Sequence, residues 1–139
     1  MTMTKIEGGC LCGAVRYRAD AEPAMTGVCH CRNCQRQSGS SFSILVGVPK
    51  GALRFEGEAM VSYTDQGESG LPVLRKFCGR CGSPILSEVG AMPDLDWIKA
   101  GTLDDVSWFT PQVHLWCDSL QPWVTLPPNA VRIARNPPA

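Results

Sequence analysis

CHCRNCQRQSGS, residues 29 to 40, places Cys29, Cys31 and Cys34 within six residues, with His30 between the first two. A strand or loop that feeds Cys-x-Cys into a turn ending in a further cysteine can wrap three thiolates round one metal ion. Three protein ligands leave a fourth position for water or substrate, the pattern of catalytic metal sites. RNCQRQSG has room for only a turn or two of helix before Gly39 stops it, which brings Cys34 back toward Cys31. His30, if its segment is extended, points to the opposite face from both neighbours and reads as a packed or hydrogen-bonding residue, not a ligand to the same ion. Whether Cys117 or His114 closes the site as a fourth ligand is left open.

Working outward, two further pairs flank the triplet: Cys10 and Cys12 in GGCLCGAVRY, and Cys78 and Cys81 in FCGRCGSPI. Four thiolates suit a tetrahedral ion such as zinc, and a closed set of four has no vacant position for chemistry. Its work is structural: it pins the first strand to one about seventy residues later, stapling a core too small to be stable alone. The expectation is one closed zinc site and one open one, two zinc ions per chain. Four-thiolate sites also accept iron, which leaves a coloured alternative. Three thiolates already overcompensate a divalent ion, so the open site suits holding a soft substrate thiolate better than making hydroxide.

Composition bounds the rest. The chain has 139 residues, 44% hydrophobic and 19% charged, which predicts a single domain spanning residues 1–139, with a tail, RNPPA, that frays. Formal net charge is zero, so nothing draws the whole molecule to nucleic acid or to an anionic membrane. A local basic cluster exists: Arg32 and Arg36 follow the triplet, and Arg75, Lys76 and Arg80 surround the Cys78 pair. Solvated surface charge and anion recognition both account for it. The longest apolar run, ILVGV at 44 to 48, is too short to span a bilayer, and MTMTKIEGG is no signal peptide. A cytoplasmic setting keeps thiols reduced, so eight cysteines argue for metal over disulfides.

Fourteen glycines and eleven prolines leave little room for long helices. Short strands are expected at Ala14 to Tyr17, Phe42 to Val48, Val73 to Phe77, Pro84 to Val89, Trp97 to Ala100 and Val113 to Trp116. Leu53 to Glu56 and Met60 to Thr64 read as a hairpin-like pair through Gly57. DQGESGLP, residues 65 to 72, reads as an exposed polar loop and the most expendable segment. Asp104 and Asp105 fit turn capping better than proton handling. Trp97, Trp108, Trp116 and Trp123 read as core or pocket wall.

These motifs, with AGTLDD at 100 to 105, His114, and Pro122-Trp123, resemble in order the glutathione-dependent formaldehyde-activating enzyme family, also called the centromere protein V family. The resemblance runs over roughly residues 6 to 127. It implies a β-tent of small antiparallel sheets, a structural zinc on Cys10, Cys12, Cys78 and Cys81, and an active-site zinc on Cys29, Cys31 and Cys34. It also implies condensation of glutathione with formaldehyde to S-(hydroxymethyl)glutathione, formally a carbon-sulfur lyase run backwards. Arg32, Arg36 and Arg80 are the candidates for holding the peptide's carboxylates. The alternative is a non-catalytic zinc scaffold or a glutathione/formaldehyde carrier. The partners expected are a small thiol and a small aldehyde, with no nucleic acid and no membrane.

Overall fold

The computed structural model describes residues 5–135, so the RNPPA tail beyond Arg135 lies outside the described residues. The protein is mostly β. In chain order the strands are β1 (Ile6–Gly9), β2 (Arg16–Ala19), β3 (Met25–Cys29), β4 (Ser43–Pro49), β5 (Leu53–Glu56), β6 (Met60–Gln66), β7 (Pro72–Cys78), β8 (Pro84–Val89), β9 (Leu95–Lys99), β10 (Val113–Leu115) and β11 (Val131–Arg132). One short α-helix, α1 (Arg32–Ser38), follows β3, and Gly39 ends it in the left-handed conformation at φ 63°.

A three-stranded sheet runs β1-β2-β5, and an eight-stranded sheet runs β11-β10-β3-β4-β9-β8-β7-β6. Most ladders are antiparallel, but β10 pairs in parallel with both β3 and β11. Alternation sorts the large sheet's side chains by face. Val46, Ile98 and Leu86 stand opposite one another and pack with Ile6 and Tyr17 from the small sheet and with Val15 just before β2. The next row, Gly47, Trp97, Ser87 and Arg75, and the pair Leu45 and Lys99 point the other way. That is why SILVGVP in β4 is buried along most of its length: both of its faces are covered. Each fully buried aliphatic side chain here contributes about 1.5–3 kcal/mol. The step from Lys76/Phe77 to their partners skips Ile85, a bulge on β8 that lets Ile85 and Leu86 both enter the core between the sheets.

The hairpin expected from Leu53 to Thr64 does not form. β5 joins β2 in the small sheet while β6 joins β7 in the large one, so the intervening turn carries the chain between sheets. Gly57 makes the step at φ 93°, where a Cβ would lie 2.0 Å from the Ala14 carbonyl oxygen. The first predicted strand also starts later, at Arg16, because Cys10 to Ala14 are spent on a hydrogen-bonded turn.

Candidate metal centres

Cys10 and Cys12 lie in the turn after β1, Cys78 ends β7, and Cys81 sits in the turn that follows. All four sulfurs lie within 4.8 Å of one another. Cys10 Sγ to Cys12 Sγ is 3.6 Å and Cys12 Sγ to Cys78 Sγ is 3.8 Å. Zn-S bonds of about 2.3 Å in a tetrahedron put sulfurs about 3.8 Å apart, so the spacing fits zinc. Backbone N–H groups support the sulfurs: Val15 donates to Cys10 Sγ at 3.2 Å and Arg80 to Cys78 Sγ at 3.3 Å. The Cys81 thiol, held first by the Ser83 hydroxyl at 3.2 Å, is lowered to about 5. The cluster joins the small sheet to the β7–β8 hairpin of the large one.

The second cluster is Cys29, at the end of β3, Cys31, and Cys34 in the first turn of α1, again with sulfurs within 4.8 Å of one another. Cys31 caps the helix, its sulfur accepting the Cys34 N–H at 3.2 Å. These three line a cavity of about 320 Å³, whereas none of the first four does. Apolar walls come from Leu45, Val73, Val89, Met92, Leu115 and Trp116. Two buried cations reach the same cavity. Arg75 donates from Nη1 to Cys34 Sγ at 3.7 Å and from Nε to Asp65 at 3.0 Å, and Lys99 Nζ donates to Ser43 Oγ at 3.0 Å. Burial lowers the Lys99 pKa, opposed by the Cys34 sulfur. The Cys34 thiol falls well below its ordinary value, first through hydrogen bonds from Cys29 and Cys31, with Lys99 and Arg75 adding to the effect against burial. Hydrogen bonding with Cys31 first, then with Cys34, pushes the Cys29 pKa up, and burial adds to it. One of the three therefore ionises readily, while a divalent cation is what would draw off all three protons.

Neither candidate for a fourth ligand joins the triplet. His114 Nδ1 faces His30 Nε2 at 3.1 Å, the two rings stacked with centroids 5.4 Å apart, and Cys117 Sγ donates to the His114 carbonyl at 3.3 Å. His30 is fully buried, packs edge-on to Phe42, and is lowered to about 4 by burial and then by His114. Arg32 lines the cavity and donates to Gln35 Oε1; Arg36 opens onto a shallow polar depression beyond the helix, and Arg80 lies beside the four-cysteine turn. Asp104 pairs with Arg16, and Asp105 accepts from Ser107 in its turn. Trp97 and Trp116 line the cavity, Trp108 packs on the core, and Trp123 is exposed.

Two features escaped the sequence reading. Lys99 looks like any polar strand residue, and only its place opposite Leu45, one row from Cys29, turns it toward the sulfurs. The loop expected to be expendable carries Gly67, Glu68 and Ser69 to the cavity, and Glu68 pairs with Arg135. The loop's first residue, Asp65, belongs to β6 and accepts from both Arg75 and Asn33 Nδ2, tying that strand to α1.

A mostly β scaffold carrying a closed set of four thiols and an open set of three in a cavity defines a class: small cysteine-rich β proteins equipped to hold two metal ions. Within it, residues 5–119 match the glutathione-dependent formaldehyde-activating enzyme family, and the chain belongs to that family. It is 29% identical over 126 residues to a protein of Halomonas elongata named "Putative glutathione-dependent formaldehyde-activating enzyme", covering 87% of this chain and 80% of that one. The crystal structure of a Rhodobacter sphaeroides protein shares the fold with a TM-score of 0.60 at 22% identity, over 74% of this chain and 92% of that one. Among the described residues no helix is long and apolar enough to cross a membrane.

Proposed function

We propose that the protein brings a thiol and a small aldehyde together at the three-cysteine site, forming or splitting their adduct. Glutathione and formaldehyde, the pair in the family's name, are the substrates to test first. In class this is a carbon-sulfur lyase run toward the adduct. One observation carries the reading: three sulfurs gathered in a cavity, with no fourth ligand beside them among the described residues. Cys29, Cys31 and Cys34 would hold one zinc, and Cys10, Cys12, Cys78 and Cys81 a second, structural one. When bound at the triplet, zinc would keep a substrate sulfur ionised at neutral pH.

The chain's own residues supply the rest. Three thiolates outweigh a divalent ion by one negative charge, and since Arg75 is matched by Asp65, Lys99 is the buried cation left to offset it. The apolar walls keep water from the reacting atoms and strengthen each polar contact among them. Arg32, of the three arginines expected to meet a peptide thiol's carboxylates, is the one placed in the cavity.

A carrier that holds the adduct without hastening its formation is the second reading. It is favoured by the lining of the cavity, whose one carboxylate among the described residues, Glu68, is engaged by Arg135. Magnetisation-exchange NMR between formaldehyde hydrate and its glutathione adduct separates the two, using zinc-loaded protein and the Cys31→Ser variant. Faster exchange with the wild type alone supports the enzyme. Unchanged exchange with tight adduct binding supports the carrier, and neither effect removes both.

A further inference from the structure

Two residues that line the cavity each carry a buried polar atom with no partner among the described residues. The atoms are the Trp97 indole Nε1 and the Ser87 hydroxyl, on residues 1% and 4% exposed. Buried donors left unpaired each cost about 1–3 kcal/mol, so two of them side by side call for an explanation. They are direct cross-strand neighbours, Ser87 standing opposite Trp97 on one side and Arg75 on the other. Arg75 in turn reaches Cys34 Sγ. Lys99, two residues along β9 from Trp97, points to the same face. Arg75, Ser87, Trp97 and Lys99, all lining the cavity, thus put N–H and O–H groups along one face of the sheet beside the thiol cluster.

We propose that Ser87 and Trp97 form the oxygen-binding half of the site, holding the oxygen of an aldehyde or of its thiol adduct while the cysteine triplet serves the sulfur. The inference rests on the function proposed above and assigns it two residues that touch a reacting atom. In the step, a lone pair on the substrate thiolate forms the S–C bond, the C=O π bond breaks, and its electron pair moves onto oxygen. Ser87 O–H and Trp97 N–H donate to that oxygen as its charge grows, with the Lys99 charge adding to the same field. The proton shed when the thiol ionised goes to solvent, and the alkoxide takes one back from solvent; nothing is oxidised or reduced. An aldehyde hydrate or hemithioacetal offers the acceptor these donors lack, whereas a thioether offers none.

The test uses Ser87→Ala in the zinc-loaded protein, with Ser87→Thr restoring the hydroxyl and Trp97→Phe deleting the indole N–H. Three quantities are read: the glutathione–formaldehyde exchange rate, affinity for that adduct against S-ethylglutathione, and the urea midpoint. The expected result for Ser87→Ala is a loss of about tenfold or more in rate and in adduct affinity, unchanged affinity for S-ethylglutathione, and a midpoint unchanged or raised. Removing an unpaired buried hydroxyl costs the fold nothing, and a merely structural serine would not separate the two ligands. Ser87→Thr recovers part of the loss. An active wild type matched by Ser87→Ala and Trp97→Phe in rate and adduct affinity overturns the oxygen site and leaves the reaction standing. A wild type that neither hastens exchange nor binds the adduct removes the reaction itself, and the inference with it.

Discussion

Single residues carry much of this fold's definition. Tyr17 is 3% exposed, its hydroxyl 2.7 Å from Thr102 Oγ1, and burial pushes its pKa up to about 12. An unfolded tyrosine ionises near 10, so in the window between, the unfolded chain has shed a proton that the fold retains. The contribution is whole below that window and is lost as pH rises through it, by an amount on the order of 2 kcal/mol. Tyr17→Phe should cost about 1 kcal/mol at neutral pH yet lose less than the wild type between urea unfolding at about pH 9 and about pH 11. Gly57 is a second such residue. Gly57→Ala meets both an unfavourable φ and the Ala14 carbonyl, and should cost about 3 kcal/mol or more. Gly51→Ala, at φ 87° with open space around it, should cost only about 1 kcal/mol; thermal midpoints compare the two.

At the scale of elements, the β6–β7 hairpin shows what sequence pattern carries and what it does not. Its strands are legible because Val73 to Phe77 and the residues before Gln66 have strand composition bounded by a Gly- and Ser-rich turn. That its tip rims a cavity is not legible, since the contact of Glu68 with Arg135 joins residues far apart in the chain. The same limit explains the missed partner of β5. A Gly-centred turn is compatible with a hairpin and with a step between sheets, and only the burial of both flanks decides. The cysteine motifs, by contrast, were readable because ligand spacing is a local property, and α1 followed from Cys31 to Gly39 alone. Replacing residues 67–71 with Asn-Gly, a tighter turn of the kind hairpins favour, should keep the thermal midpoint within a few degrees. It should also weaken glutathione binding about tenfold by opening the cavity, as calorimetric titration would read.

Across the whole molecule, the four-cysteine cluster links the small sheet to the large one, whereas the triplet's own sulfurs all come from β3 and the helix that follows it. Purified wild type should carry about two zinc ions, and Cys12→Ser and Cys31→Ser about one each, by elemental analysis. The cost should fall unequally: Cys12→Ser releases the sheets from each other and lowers the thermal midpoint by well over about ten degrees, while Cys31→Ser shifts it by only a few. Both clusters are tied to β7, which sends Arg75 to the cavity and ends in Cys78 on the other face. The interval of three is odd, and side chains alternate, so the two must leave the strand on opposite sides. For anyone transplanting this site into another scaffold, that parity is part of the blueprint. A graft that copies all seven clustered cysteines but lengthens β7 by one residue between Arg75 and Cys78 would turn a thiol of the four-cysteine cluster toward the cavity and leave that cluster one sulfur short.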